Sequence, residues 1–273
     1  MKSIVEQNIT SALIIEDDVD WDLRIKSQLR SFAQASQLLL QPLQGTEDQY
    51  LDPTHQRHSP DEPQPTDLDF TSGPVTLSKS SPYGDLDRWD ILWLGHCGAR
   101  WPESKAQPEV PLGRVAIHDD ETVPQTQFQE FEEGDHDLLP TYPNHTRIIG
   151  HPRGNTCTFA YAITLSAARE SLYELGMRTV TGAFDQMLPD MCVGANGRKR
   201  RTCLTVQPQY FHHHRPIGPE SAWSDIADYS LDKTDSGYHN RASTRNIRWS
   251  TKVNFPKLIN GETDYIDQFP DVD

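Results

Sequence analysis

The sequence lacks any continuous run of about 18 apolar residues, the length that a membrane-spanning helix needs. Basic residues are also scarce, because 25 Lys and Arg stand against 40 Asp and Glu, and the formal net charge is −15 with histidine neutral. Nucleic acids and anionic membrane surfaces are bound through clustered Lys and Arg, so this balance argues against both as partners. Apolar residues make up only 35% of the chain, which predicts segments that do not pack.

Cysteine is sparse as well, with four residues in 273. That number is too small for a disulfide scaffold, and the spacing does not match a zinc finger. Cys192 and Cys203 flank a loop rich in Gly and Arg, which one disulfide could close. Tripeptides beginning at Asn8 and Asn144 match the N-glycosylation pattern and favour the secretory pathway slightly over the cytosol.

Short apolar runs predict strands, and segments with one apolar stripe predict helices. The first strand is expected to be buried on both faces, because its apolar residues are continuous rather than alternating. Strands that alternate with helices indicate an α/β fold, in which ligands bind where strands end. The predicted strands are 11–15, 88–95, 156–164 and 203–207; the predicted helices are 22–40, with Asp22 at its start, and 166–176, with Ser166 as N-cap and Gly176 as C-terminal stop.

Three stretches have a composition from which a packed core does not form. Residues 41–85 are dominated by polar residues and proline, and residues 99–146 are polar and acidic with scattered short apolar pairs; both are predicted to be disordered insertions. Residues 227–273 are predicted to be a loosely ordered tail. The predicted domain is therefore 1–226, interrupted by the two insertions.

Four carboxylates, those of Glu16, Asp17, Asp18 and Asp20, follow the first predicted strand. Their mutual repulsion favours a bound cation, and an oxygen-rich site without thiols suits Mg²⁺ or Mn²⁺ together with substrate phosphates. Because side chains alternate along an extended chain, Glu16 and Asp18 should project to one side and Asp17 to the other. We therefore expect Asp18 to contact the metal. An acidic turn that only precedes the next helix would give the same cluster.

The acidic cluster also resembles the pocket of phosphoacceptor receiver domains. That class needs an aspartate that ends a third strand and a later lysine after an apolar run. Asp67 and Asp69 lie in Pro-rich sequence, and no lysine follows an apolar run, so the receiver interpretation is rejected. The only basic run, residues 198–201, could contact a diphosphate or form a solvated loop.

The run Ala-Leu-Ile-Ile-Glu-Asp-Asp-Val at 12–19 is similar to the strand and acidic motif of glycosyltransferase family 25, the lipopolysaccharide- and collagen-type sugar transferases with a GT-A fold. Further segments resemble the family's motifs in the family's order. They are 89–95 (Asp-hydrophobic-Gly strand), 158–168 (Ala-Tyr and Ser-x-x-Ala segment), 181–188 (Pro-x-Asp-x-x-Leu segment) and 207–226 (closing Pro and Ser-Asp-Ile). The sequences Gly-His-Cys-Gly and Tyr-Phe-His-His-His-Arg-Pro resemble the fungal branch.

The resemblance implies a GT-A-like, Rossmann-like mixed sheet flanked by helices. It implies metal-dependent transfer of a hexose, often galactose, from a nucleotide-sugar donor such as a UDP-sugar to a hydroxyl of a glycan or glycoprotein, with inversion. By the usual location of family members, the resemblance also implies the secretory pathway, with the Golgi lumen as the expected compartment.

The resemblance also assigns residues to roles. Asp185 is the candidate base or acceptor binder, although it could simply begin a helix. Glu16 or Asp17 would orient the nucleotide sugar. A late histidine often completes the metal shell in this fold, and His212 and His214 share a face of their predicted strand. The expected metal ligands are thus Asp18, Asp20, His212 and His214, although either histidine could be a surface residue.

The chain departs from the family pattern at its start. In the family, an amino-terminal portion that builds the first strands and holds the nucleotide base precedes the acidic strand, whereas here only about ten residues precede Leu13. We expect an N-terminally truncated domain that is poorly stable and at best weakly active, because a sheet without its first strands leaves backbone groups unpaired. The alternative is a catalytically inactive relative that binds carbohydrate or protein.

Overall fold

The computed structural model describes residues 1–55, 65–103, 109–136, 138–220 and 237–273. The strands are β1 (Ser11–Ile15), β2 (Val19–Trp21), β3 (Asp67–Leu68), β4 (Ile91–Gly95), β5 (Gly98–Arg100), β6 (Arg114–Ile117), β7 (Arg147–Gly150), β8 (Gly154–Thr156), β9 (Ala160–Thr164), β10 (Cys203–Gln207), β11 (Phe211–Arg215), β12 (Gly218–Pro219), β13 (Tyr238–His239) and β14 (Ser243–Thr244). The α-helices are α1 (Lys2–Glu6), α2 (Ile25–Leu40), α3 (Leu165–Tyr173), α4 (Phe184–Val193) and α5 (Thr251–Asn260).

One mixed sheet organises the fold, with the strand order β1-β9-β4-β10-β7-β6-β3. Strand β10 is parallel to β4 and β3 is parallel to β6, whereas the other neighbours along this order are antiparallel. Strand β11 begins beside the end of β4 and also pairs with β2 and β14. The predicted α/β class, with a mixed sheet flanked by helices, is confirmed.

The core lies on both faces of the sheet, and β4 is its centre. Every residue of β4 is buried, as its continuous apolar run predicts. Because side chains alternate along a strand, Leu92 and Leu94 pack in the cluster that contains Phe32 of α2, whereas Ile91 and Trp93 pack in the cluster that contains residues of α3 and α4. The result is a sheet between two helical layers.

Strand β1 does not have the two-sided burial that the sequence predicts. It lies at one end of the strand order, and β9 is its only strand partner in the described part of the chain. Leu13 and Ile15 are 44% and 41% exposed, whereas Ala12 and Ile14 pack against the core. A continuous apolar run at a sheet edge therefore need not mean burial on both faces.

The two predicted insertions contribute to the core where the structure describes them. Strand β3, from the stretch 41–85, pairs with β6, from the stretch 99–146, and Leu68 and Val115 are buried. In the same two stretches Asp52 and Leu112 are also buried, and Asp52 Oδ2 accepts a hydrogen bond from the Gly113 N–H at 2.9 Å. Residues 56–64, 104–108 and 137 lie outside the described part.

The carboxyl-terminal segment is also ordered rather than loose from residue 237 onward. It forms β14 and α5, and Ser250 and Asn254 are fully buried. Ser250 is the N-cap of α5, because its side chain accepts a hydrogen bond from the Val253 N–H. The prediction from composition was wrong, because this segment packs through hydrogen bonds to buried polar groups as well as through Ile247, which is buried. Residues 221–236, which include Trp223-Ser-Asp-Ile226 of the family resemblance, lie outside the described part.

Helix boundaries differ from the predictions in three places. Asp22 does not cap α2, which begins at Ile25; its carboxylate accepts the Arg24 and Trp249 N–H groups. The N-cap of α3 is Thr164 rather than Ser166, and its hydroxyl accepts the Ala167 N–H at 3.2 Å. Gly176 does not end that helix either, because a π-helical turn continues over Glu174–Arg178.

All four cysteines are paired. Cys192 and Cys203 form the bridge that their spacing allows, and it joins the end of α4 to the start of β10. Cys97 and Cys157 form a second bridge, which was not predicted. It links the chain just before β5 to the chain just after β8.

Candidate functional site

The pairing of β2 with β11 determines which side chains meet at the carboxyl end of β1. The chain leaves β1 at Ile15, turns through the acidic residues and enters β2 at Val19. Val19 lies opposite His213 in the antiparallel pair, and the His214 N–H donates to the Asp18 carbonyl at 2.9 Å. This backbone register places β11 beside the acidic turn.

Three side chains converge there, and we call them the Glu16–Asp18–His213 group. His213 Nε2 lies 3.1 Å from Glu16 Oε2 and 3.5 Å from Asp18 Oδ1. One ligand atom from each residue lies within 4.8 Å of the others. Glu16 and Asp18 therefore reach the same imidazole, as the alternation of side chains predicts. All three side chains are partly exposed, so the group is open to a ligand.

Neighbouring side chains fix the orientation of the His213 ring. Its centroid lies 3.9 Å from that of Phe159, and Arg215 Nη2 lies 3.3 Å from Nδ1. Because a guanidinium can only donate, Nδ1 accepts this hydrogen bond and the ring proton of the neutral imidazole is on Nε2. Nε2 then donates to the Glu16 carboxylate, with the Asp18 carboxylate 3.5 Å away. Thr158 Oγ1 donates to the other Glu16 oxygen at 3.2 Å.

The donor set of this group fits a divalent cation. Two carboxylate oxygens and one imidazole nitrogen suit Mn²⁺, and the carboxylates alone suit Mg²⁺. A metal on Nε2 would displace its proton, and Nδ1 would then carry the proton and lose the hydrogen bond from Arg215. The carboxylates are thus already in position, whereas the imidazole must change tautomer.

Asp20, expected as a metal ligand, is instead a structural residue. Its carboxylate is completely buried and accepts hydrogen bonds from Thr244 Oγ1 at 2.7 Å, from the Lys252 N–H at 3.0 Å and from Ser250 Oγ. It also accepts the Trp21 N–H at 2.8 Å. These bonds use its oxygens, so Asp20 connects β2 to the carboxyl-terminal segment and does not face the Glu16–Asp18–His213 group.

His212 and His214, the two expected histidine ligands, also point elsewhere. His212 is 3% exposed and packs beside Phe159, and burial lowers its pKa to about 3. His214 Nδ1 lies 3.0 Å from Thr244 Oγ1 and 3.8 Å from Asp20 Oδ2. Desolvation lowers the pKa of His214, although the Asp20 carboxylate opposes the shift. The histidine that meets the acidic turn is the middle one, His213.

Asp17 and Asp185 do not belong to the group. The Asp17 side chain is exposed, and its carbonyl accepts a hydrogen bond from Lys252 Nζ at 3.3 Å. Asp185 lies in the first turn of α4, beside Phe184, whose ring centroid is 6.2 Å from that of Tyr161. Burial and, next, the charge of Glu16 raise the pKa of Tyr161 to about 12. Tyr161 therefore packs beside Phe184 at the start of α4 and lies within the electrostatic range of Glu16.

Comparisons of the chain with protein-family models, with curated proteins and with solved structures found no match. Among the helices that the structure describes, none is both long and apolar enough to cross a membrane.

Proposed function

We propose that this chain is a metal-dependent glycosyltransferase. It would transfer a hexose, galactose by the resemblance to family 25, from a UDP-sugar to a hydroxyl of a glycan or glycoprotein, with inversion. The observation that supports this proposal is the convergence of Glu16, Asp18 and His213 at the carboxyl end of a strand. Ligands of α/β proteins bind at such strand ends.

The proposed metal ligands differ from those expected from the sequence. Glu16, Asp18 and His213 would hold Mn²⁺ or Mg²⁺, whereas Asp20, His212 and His214 would support the surrounding strands. When bound, the cation would neutralise the diphosphate that leaves with the nucleotide. Asp17, exposed in the same turn, would contribute to orienting the nucleotide sugar.

Asp185 is the proposed general base. Its carboxylate would accept the proton of the acceptor hydroxyl as that oxygen attacks the sugar, a role that needs hydrogen-bond reach to the hydroxyl. Its position at the start of α4, next to a ring that contacts Tyr161, supports a place on the same side of the sheet as Glu16.

The proposed compartment is the secretory pathway, with the Golgi lumen as the expected site. Both disulfides support this proposal, because all four cysteines are paired and disulfides persist mainly in oxidising compartments.

One observation favours the second candidate, a non-catalytic relative that binds carbohydrate or protein. His213 donates to the Glu16 carboxylate and accepts from Arg215, so these side chains are hydrogen-bonded without any cation. A binding module could retain such a group as a structural element.

Turnover and UDP binding in matched variants separate the two candidates. UDP-galactose hydrolysis and UDP calorimetry should be measured with Mn²⁺ and with chelator, on the wild type, Asp18→Asn and Asp185→Asn. A transferase should lose Mn²⁺-dependent UDP binding in Asp18→Asn. Asp185→Asn should keep that binding and lose about 10²–10⁴-fold in turnover, the usual contribution of a general base. Absence of Mn²⁺-dependent UDP binding in the wild type would reject the transferase proposal.

A further inference from the structure

A cleft lies at the opposite end of the central strands from the Glu16–Asp18–His213 group. Its volume is about 620 Å³, and its walls include Asp90 and Thr202, which precede β4 and β10. Glu16, in contrast, follows β1, which runs in the same direction as β4 because both are antiparallel to β9. The two sites are therefore separated by the length of the strands.

The basic run identified in the sequence forms one wall of this cleft, through Lys199, Arg200 and Arg201. Several contacts hold that loop in place. The Cys192–Cys203 disulfide closes it, and the Thr202 N–H donates to Asp90 Oδ2 at 2.9 Å. Arg198, at the start of the run, donates to Asp190 Oδ2 at 2.9 Å and to the Thr179 carbonyl at 2.8 Å. The loop is thus a fixed wall rather than a freely solvated segment.

The cleft contains more cationic side chains than there are carboxylates that form ion pairs with them. Arg201 pairs with Glu170 and lies 3.9 Å from Asp90, and its buried Nε, on a side chain only 9% exposed, has no hydrogen-bond partner. Lys199 and Arg200 form no ion pair within 4.0 Å among the described residues.

Arg169 of α3 also lines the cleft; in the described ranges its one hydrogen bond is to the amide oxygen of Asn8, at 3.2 Å, and it has no carboxylate at ion-pair distance. The carboxylates near the cations of the cleft are Asp87 and Asp90 on its wall, Glu109 close to Arg200, and Glu170, which pairs with Arg201. Three cations without an ion pair therefore face one cleft in a chain whose net charge is −15.

Neutral donors complete the cleft. Ser166 lies in the first turn of α3, a helix of nine residues, and Thr202 lies in the basic loop; both line the cleft. The Leu165 N–H already donates to the Thr10 carbonyl at 2.9 Å and the Ala167 N–H donates to the Thr164 hydroxyl, so the neutral donors of this wall are the hydroxyls of Ser166 and Thr202.

We propose that this cleft binds a small ligand through a phosphate or sulfate group. Guanidinium groups bind such oxyanions with paired hydrogen bonds, and a lysine adds a point charge. The ligand would contact Lys199, Arg200 and Arg169, with the hydroxyl of Ser166 as a further donor. This site does not depend on the proposed transferase activity, since it lies at the other end of the strands.

Calorimetric titration of the full chain with pyrophosphate, inorganic phosphate and sulfate tests the proposal, at low ionic strength and with chelator to remove metals. The wild type should bind at least one of these anions saturably, at one site. The Lys199→Gln/Arg200→Gln variant should bind about tenfold or more weakly, because two charge-assisted contacts are lost. Asp87→Asn should bind more tightly, because a nearby negative charge is removed.

The matched control is Lys26→Gln/Arg30→Gln, which removes the same two charges from the exposed face of α2. It should change the affinity by less than about twofold, since screened surface charges contribute little. An equal loss in both variants would show a diffuse electrostatic effect and overturn the proposal, as would no saturable binding of any of the three anions. Binding of phosphate alone or of sulfate alone would support the proposal and would show which of the two groups the ligand carries. Thermal unfolding of each variant checks that it is folded.

Discussion

At the scale of single residues, Asp20 shows how one carboxylate can connect distant parts of a chain. It lies in β2, and its oxygens accept hydrogen bonds from Thr244, Ser250 and the Lys252 backbone, more than 220 positions later. A buried carboxylate with such partners is stable only while they remain, because an unpaired buried charge is costly. The bonds therefore couple the fold of β2 to that of the carboxyl-terminal segment.

We predict that Asp20→Ala lowers the free energy of unfolding by about 3–5 kcal/mol, because it leaves several buried donors without an acceptor. The measurement is chemical denaturation followed by circular dichroism. Asp17→Ala is the control: its side chain is exposed, and the expected change is within about 0.5 kcal/mol. Similar stabilities for the two variants would show that Asp20 does not have this structural role.

The candidate site could be predicted from the sequence in part. The same-sided arrangement of Glu16 and Asp18 follows from local alternation, and the structure confirms it. The participation of His213 rather than His212 or His214 depends on the register of β11 against β2. That register is a long-range property, and no spacing within the triple-histidine run determines it.

At the scale of secondary-structure elements, the two disulfides fix different parts of the fold. Cys97–Cys157 links positions 60 residues apart, and Cys192–Cys203 closes a loop of 11. A cross-link restricts the unfolded chain more when it closes a longer loop, so the first bridge should stabilise more.

We predict that Cys97→Ala/Cys157→Ala lowers the free energy of unfolding by about 4 kcal/mol and that Cys192→Ala/Cys203→Ala lowers it by about 3 kcal/mol, from loop-closure entropy. Urea denaturation of the two double variants and the wild type provides the comparison. A larger loss of unfolding free energy in Cys192→Ala/Cys203→Ala than in Cys97→Ala/Cys157→Ala would contradict this account.

Elements with a strong local signal could be predicted, and elements held by distant partners could not. Strands β4 and β10 are buried apolar runs, and both occur where the sequence predicts them. The segment from residue 237 onward is polar, and its order comes from hydrogen bonds to Asp20 and Asp22. Composition alone does not reveal such partners, so it indicated a loose tail.

At the scale of the whole molecule, buried neutral histidines connect stability to pH. Burial lowers the pKa of His96 to about 4, although the hydrogen bond from its Nε2 to the Val206 carbonyl opposes the shift. His151 is also buried, and desolvation lowers its pKa to about 3. The ordinary value is 6.5, so the unfolded chain takes up protons at a higher pH than the folded chain does.

We predict that the free energy of unfolding falls as the pH drops from about 6.5 towards 4, because the unfolded state binds more protons in this range. At pH 5 the shift at His96 alone corresponds to about 2 kcal/mol. His96→Gln should therefore show a shallower dependence than the wild type when denaturation is measured from pH 7.5 to pH 5. Parallel curves for the two proteins would rule out His96 as a source of the dependence.

Mn²⁺ binding in the presence of UDP tests the central claim most directly. Free Mn²⁺ should be measured by electron paramagnetic resonance with the full chain, with Glu16→Gln/Asp18→Asn and with the control Asp185→Asn. The account predicts one bound ion for the wild type and the control, and at least about tenfold weaker binding for the double variant, which lacks two anionic ligands. No saturable Mn²⁺ binding to the wild type, or unchanged binding to the double variant, would contradict it.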